Sequence, residues 1–107
     1  MPDFTLEDLV GIIAERAGSG DPASYTAKLA ASGVSRCAKK FGEEAVEAVI
    51  AAATADKEAL RAEAADVLYH LLVLLHVGAV PFADVKAELA RRTSQTGLQE
   101  KAGRKAQ

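Results

Sequence analysis

Residues 34–77 read VSRCAKKFGEEAVEAVIAAATADKEALRAEAADVLYHLLVLLHV, and this stretch decides the fold. Val34, Cys37, Phe41, Ala45, Ala48 and Ala52 recur at helical spacing, which predicts a helix from Val34 to about Ala53. Thr54-Ala55-Asp56 is a connection, and Asp56 can cap a second helix over Lys57 to Val77 that ends at Gly78. Two long helices joined so briefly must pack antiparallel. Their small residues, Ala45, Ala48, Ala51 and Ala52 on one and Ala59, Ala62, Ala64 and Ala65 on the other, allow the axes to approach to roughly 8 Å. Leu71 to Leu75 is apolar all round, so the second helix should be the most buried one.

Outward from this pair the pattern stays helical. Thr5 reads as an N-cap with Glu7 and Asp8 in an acidic first turn, followed by an apolar face of Leu6, Leu9, Val10 and Ile13. Gly18-Ser19-Gly20-Asp21-Pro22 is a loop, with Asp21 as cap and Pro22 as first residue of a short helix that covers Ser24–Ala31. Pro81 opens a last helix to about Arg92, and the polar segment 93–107 is expected to be a flexible tail. The expected architecture is a single all-α domain over 1–107, an antiparallel bundle of four to five helices.

Composition agrees. The 107 residues fit one domain; alanine supplies 23 of them, aromatics 5% and tryptophan none, which favours helix over strand. A net charge of −2 excludes both charge-driven disorder and a globally basic nucleic-acid binder. A lone Cys37 makes no internal disulfide and fits a reducing compartment. The first ten residues show no secretory signal, and Val67 to Phe82 is too short and too polar to span a membrane. The expectation is a soluble, cytoplasmic protein that does not engage membranes or nucleic acid.

Charge is unevenly spread. Seven acids against two bases lie in 43–66, and five bases against one acid lie from residue 91 onward. Within the acidic centre, Glu44 and Glu47 stand at i and i+3 on one helix, and Glu63 and Asp66 repeat the spacing on the next. Antiparallel packing can bring all four carboxylates to one level of the bundle. Four convergent carboxylates repel unless a cation joins them, and oxygen-rich sites of this kind hold Mg²⁺, which keeps waters and accepts phosphate oxygens. The plainer alternative is four solvated helix acids. Against it, neither Glu47 nor Asp66 has a base at i±3 or i±4 on its own helix.

Lys39 and Lys40 precede Glu43 and Glu44 by four residues each, with Arg36 one turn earlier. They either pair with those acids and solubilise the helix, or bind the phosphates that the same cation holds. Gly42 inside the helix costs about 1 kcal/mol relative to alanine, either by accident or to admit a ligand or a neighbouring helix. His70 continues the Glu63–Asp66 face and reads as a hydrogen-bonded, half-buried histidine. Cys37 reads as core, and Tyr25 as a packing residue that could also stack on a base.

The runs Ser24-Tyr25-Thr26-Ala27-Lys28-Leu29, Lys39-Lys40-Phe41-Gly42-Glu43-Glu44-Ala45-Val46-Glu47 and Glu63-Ala64-Ala65-Asp66-Val67-Leu68-Tyr69-His70 resemble the phosphoribosyl-ATP pyrophosphohydrolase family. The ExxE…ExxD pair alone is shared with MazG-type and dimeric dUTPase-type all-α nucleotide pyrophosphatases; the first two runs narrow it. The resemblance implies hydrolysis of phosphoribosyl-ATP to phosphoribosyl-AMP and pyrophosphate, the second step of histidine biosynthesis. It implies Mg²⁺ held by Glu44, Glu47, Glu63 and Asp66, with Glu43 orienting or deprotonating the attacking water and Lys39, Lys40 or Arg36 on the polyphosphate. It also implies a homodimer or larger homo-oligomer that completes the bundle. Two other classes stay open: a house-cleaning nucleotide pyrophosphatase of the same fold, and a non-catalytic dimerisation module whose acids are surface.

Overall fold

The computed structural model describes residues 3–94, and every described element is helical. In chain order these are α1 (Leu6–Ala17), α2 (Tyr25–Ala31), α3 (Val34–Ala53), α4 (Lys57–Val77) and α5 (Phe82–Thr93). The all-α architecture of five helices is as expected, and the tail beyond residue 94 lies outside the described residues.

The capping signals set most boundaries. At α1, Thr5 Oγ1 accepts from the Asp8 N–H at 3.0 Å and Asp8 Oδ2 accepts from the Thr5 N–H at 3.0 Å, a reciprocal capping box. Asp56 caps α4 by accepting from the Ala59 N–H at 3.0 Å. One expectation is corrected: Pro22 does not open α2. Asp21 instead closes a local turn onto the Ala23 N–H at 2.9 Å, and Ser24 takes the cap by accepting from the Ala27 N–H. Likewise Pro81 is the N-cap of α5, and the helix begins at Phe82.

Both long helices end with an alanine in the left-handed region, Ala55 at φ 57° and Ala79 at φ 60°. The Asp56 N–H reaches back to the Ala51 carbonyl at 3.1 Å and the Val80 N–H to the Leu75 carbonyl at 2.9 Å, which satisfies carbonyls that the helix would otherwise leave open. Gly78 caps the end of α4 as expected, with right-handed φ, and the left-handed residue is the next one, Ala79. At this break the chain bends by 115° into α5.

α3 and α4 form the most extensive helix pair, as their short connection demands. The inward stripe of α3 runs through Cys37, Phe41, Glu44, Ala48 and Ala51, so a carboxylate lies on the seam. Val34 and Ala52, expected on that stripe, are exposed. Of the alanines expected to face each other, Ala45, Ala48, Ala51 and Ala59 are withdrawn from water, whereas Ala52, Ala62, Ala64 and Ala65 are exposed. The reason is rotation: the inner face of α4 runs through Ala59, Glu63, Val67 and His70, one position away from the alanine pairs.

The core sits at the far end of this pair, where Leu72 and Val73 meet Ile13 of α1, Leu29 of α2 and Cys37 of α3. Cys37 Sγ donates to the Leu29 carbonyl at 3.2 Å, so the thiol is a structural core group. α4 is deeply buried only on its inner side; Leu71, Leu74 and Leu75 are half-covered and Leu68 is 42% exposed. On α3, Val46, Val49 and Ile50 form an outward apolar stripe, and a side chain at Gly42, one turn before Val46, would meet nothing.

Candidate active site

Three of the four expected carboxylates converge. Glu44 from α3 with Glu63 and Asp66 from α4 present oxygens that all lie within 4.8 Å of one another. The i,i+3 spacing puts Glu63 and Asp66 on one side of α4, and the inward turn of α3 carries Glu44 to them. Glu44 is only 8% exposed, Glu63 is half-buried, and Asp66 faces solvent at the mouth. Glu47, one turn beyond Glu44, is exposed and stands outside this close group.

One atom shows what the cluster lacks. Glu63 Oε2 is buried and has no hydrogen-bond partner. A buried carboxylate oxygen without a donor costs several kcal/mol or about that, unless something positive meets it. Among the described residues the one ion pair made by these three carboxylates is that of Lys40, whose Nζ reaches Glu44 Oε1 at 3.5 Å and so serves a different residue. An all-oxygen donor set with an orphaned inner atom and an open mouth fits a hard divalent cation such as Mg²⁺.

Beside the acids lies a basic cleft of about 510 Å³, walled by Tyr25, Lys28, Ser32, Arg36, Lys39 and Lys40. The three expected bases, Arg36, Lys39 and Lys40, thus do line one cavity. Glu43 also lines it, at the exposed rim, apart from the three converging carboxylates. The i,i+4 pairing expected from the sequence forms between Lys40 and Glu44, and no Lys39–Glu43 bridge accompanies it among the described residues. Lys39 therefore keeps its charge for the cleft. Tyr25 and Lys40 shape each other: Lys40 has its pKa raised, first by Tyr25 and then by its hydrogen bond with Glu44.

The sequence reading missed part of this site. Lys28 and Ser32 were not singled out, yet both face the cleft, and i,i+4 spacing along α2 was the signal available. The contacts that hold α2 against α4 beside the acids were also missed. His70 is 5% exposed; its Nδ1 lies 2.8 Å from the Asp66 carbonyl and its Nε2 lies 3.3 Å from Tyr25 Oη. Tyr69 stacks on Tyr25 and hydrogen-bonds the buried Thr26, so α2 is fastened to α4 directly behind the acids. His70 is hydrogen-bonded as expected but fully rather than half buried, and its Asp66 contact is to backbone.

A cation site bordering a basic cleft suits a substrate with a chain of phosphates, since metal and ammonium groups can neutralise successive oxygens. Comparison with known proteins points the same way. Residues 6–93 match the family described as Phosphoribosyl-ATP pyrophosphohydrolase. Proteins named phosphoribosyl-ATP pyrophosphatase from Rhizobium meliloti and Agrobacterium fabrum are 60% and 59% identical over 104 residues, covering 97% of this chain and of each relative. One of that name from Methylobacterium radiotolerans is 57% identical over 105 residues, 98% of both chains.

Proposed function

The chain belongs to the phosphoribosyl-ATP pyrophosphohydrolase family, and from that premise we propose that it hydrolyses phosphoribosyl-ATP to phosphoribosyl-AMP and pyrophosphate within histidine biosynthesis. The observation that carries the site assignment is the orphaned Glu63 Oε2 inside a cluster of three carboxylates. In this reading Glu44, Glu63 and Asp66 hold Mg²⁺, and Glu47 adds a ligand from the solvent side. Mg²⁺ bound there would neutralise phosphate charge and make water more acidic.

The remaining work falls to the chain's own residues. Lys39, Lys40 and Arg36 hold the polyphosphate as fixed positive charges along the cleft, and the rigid α3 backbone sets their spacing. Glu43, at the rim where the cleft meets the acids, orients the attacking water and takes its proton. Cleavage breaks the α–β anhydride bond: the water oxygen joins the α-phosphorus and the pyrophosphate leaves with the bond electrons.

We further propose that a second copy of the chain covers the apolar stripe of Val46, Val49 and Ile50, exposed to 58, 66 and 55%. The open space at Gly42 supports close approach of a partner helix there. The working compartment is the cytoplasm; no single described helix is long and apolar enough to cross a membrane. The test of the activity is pyrophosphate release from phosphoribosyl-ATP against a panel of nucleoside triphosphates that includes dUTP, with Mg²⁺ and with chelator. Turnover confined to phosphoribosyl-ATP and lost with chelator is expected. Preferred turnover of common or aberrant triphosphates would assign the chain to house-cleaning instead.

A further inference from the structure

Tyr25 is the first residue of α2 and is 52% exposed, yet its hydroxyl is committed inward. The route can be followed atom by atom. The Asp66 carbonyl can only accept, so His70 Nδ1, 2.8 Å away, carries the ring proton. In the neutral ring that leaves Nε2 as an acceptor, and Tyr25 Oη at 3.3 Å must donate to it. A phenol has one proton, and here His70 takes it. What the Tyr25 oxygen presents to the cleft is therefore lone-pair density. Lys40 lines the same cleft. Lys40 also reaches Glu44, and Glu44 meets Asp66 in the acid cluster, so two chains of contact, one through His70 to Tyr25 and one through Glu44 to Lys40, run from Asp66 to the same cleft.

We propose that Tyr25 is a substrate-positioning residue, its oxygen oriented by His70 to steady the Lys40 ammonium at the boundary between the cation site and the phosphate cleft. The proposal rests on the reading of Lys40 as a ligand for an organic triphosphate. A lysine is a flexible point charge, and without a second acceptor Lys40 would swing onto Glu44 alone, away from the cleft. Glu44 and Tyr25 together hold it between the two. Burial meanwhile pushes the Tyr25 pKa up, so the hydroxyl keeps the proton that His70 needs.

The test uses the full-length chain with Mg²⁺ and phosphoribosyl-ATP, comparing Tyr25→Phe, Lys40→Met and the double variant. Tyr25→Phe keeps the ring on Tyr69 and His70 and removes only the oxygen. It should raise KM about tenfold, leave kcat within about threefold and leave Tm nearly unchanged. In the Lys40→Met background the same change should do nothing more, because the group it steadies has gone. A wild-type KM in Tyr25→Phe overturns the proposal, and so does a full tenfold increase on top of Lys40→Met. An unchanged KM in Lys40→Met alone would overturn the assignment of Lys40 to phosphate and this proposal with it. The first two outcomes leave the proposed activity and Lys40 assignment standing; the third does not.

Discussion

Glu88 on α5 and Glu63 on α4 are both helix carboxylates, and the chain treats them in opposite ways. Glu88 has Arg91 and Arg92 three and four residues on, with Arg91 Nη2 at 2.6 Å and Arg92 Nε at 3.0 Å. The Arg91 hydrogen bond, then that of Arg92, hold its pKa down from 4.5 to about 2. Glu7 is met in the same fashion by Lys86, an ion pair that ties α1 to α5. Glu63 is drawn into the seam between α3 and α4, faces two further carboxylates and keeps one oxygen without a partner. Glu88 has its bases within one turn on its own helix. Where the three carboxylates meet, Lys40 pairs with Glu44 and nothing in the described chain pairs with Glu63 Oε2. An arrangement that raises the folding free energy is consistent with a partner that arrives from outside the chain.

The contrast should be largest in turnover. Glu63→Gln or Asp66→Asn removes a charge from the cation site while keeping volume, and pyrophosphate release should fall at least about 100-fold. Glu88→Gln should stay within about twofold of the wild type. Equal losses in both would erase the distinction between the two regions.

Thermal unfolding sharpens it next. At about 100 times its Kd, Mg²⁺ should stabilise the wild type by roughly 2.7 kcal/mol, a rise in Tm on the order of 10 °C. Glu88→Gln should show the same rise and Glu63→Gln little of it. Without divalent metal, Glu63→Gln and Asp66→Asn should be as stable as the wild type or a few tenths of a kcal/mol more so, since like-charge repulsion falls. Loss of more than about 1 kcal/mol in the metal-free state would mean that these acids are structural.

The smallest effect belongs to Glu88. Its folded pKa lies below the unfolded value, so its ion pairs help the fold fully above about 4.5 and are lost as pH falls toward about 2. Both arginines and the carboxylate are exposed, so salt should screen the contribution. Carboxyl ¹³C titration should place the Glu88 midpoint near 2, and Arg91→Gln should return it toward 4.5.

Legibility in the sequence followed the same divide between local and tertiary causes. Thr5 and Asp56 act within three residues of their own position, and both caps stand where the sequence puts them. The four acids were recognisable from i,i+3 spacing, but helix rotation decided that Glu44 joins Glu63 and Asp66 while Glu47 stays in solvent. Spacing along one helix carries no information about the phase of its partner. The His70–Tyr25 contact spans 45 positions and depends on how α2 lands on α4, which no local pattern encodes. Ala79 in the left-handed position after Gly78 was unreadable for a related reason: the last backbone hydrogen bonds of α4, not residue preference, choose which residue turns.

The central claim is that Glu44, Glu63 and Asp66 form the cation site. Crystals of the wild-type protein grown with Mn²⁺ in place of Mg²⁺ test it directly, because anomalous scattering locates the ion without reference to activity. The account predicts an anomalous peak in contact with oxygens of Glu44, Glu63 and Asp66, the inner one being Glu63 Oε2. A manganese ion bound elsewhere, with those three carboxylates free of metal, would contradict it.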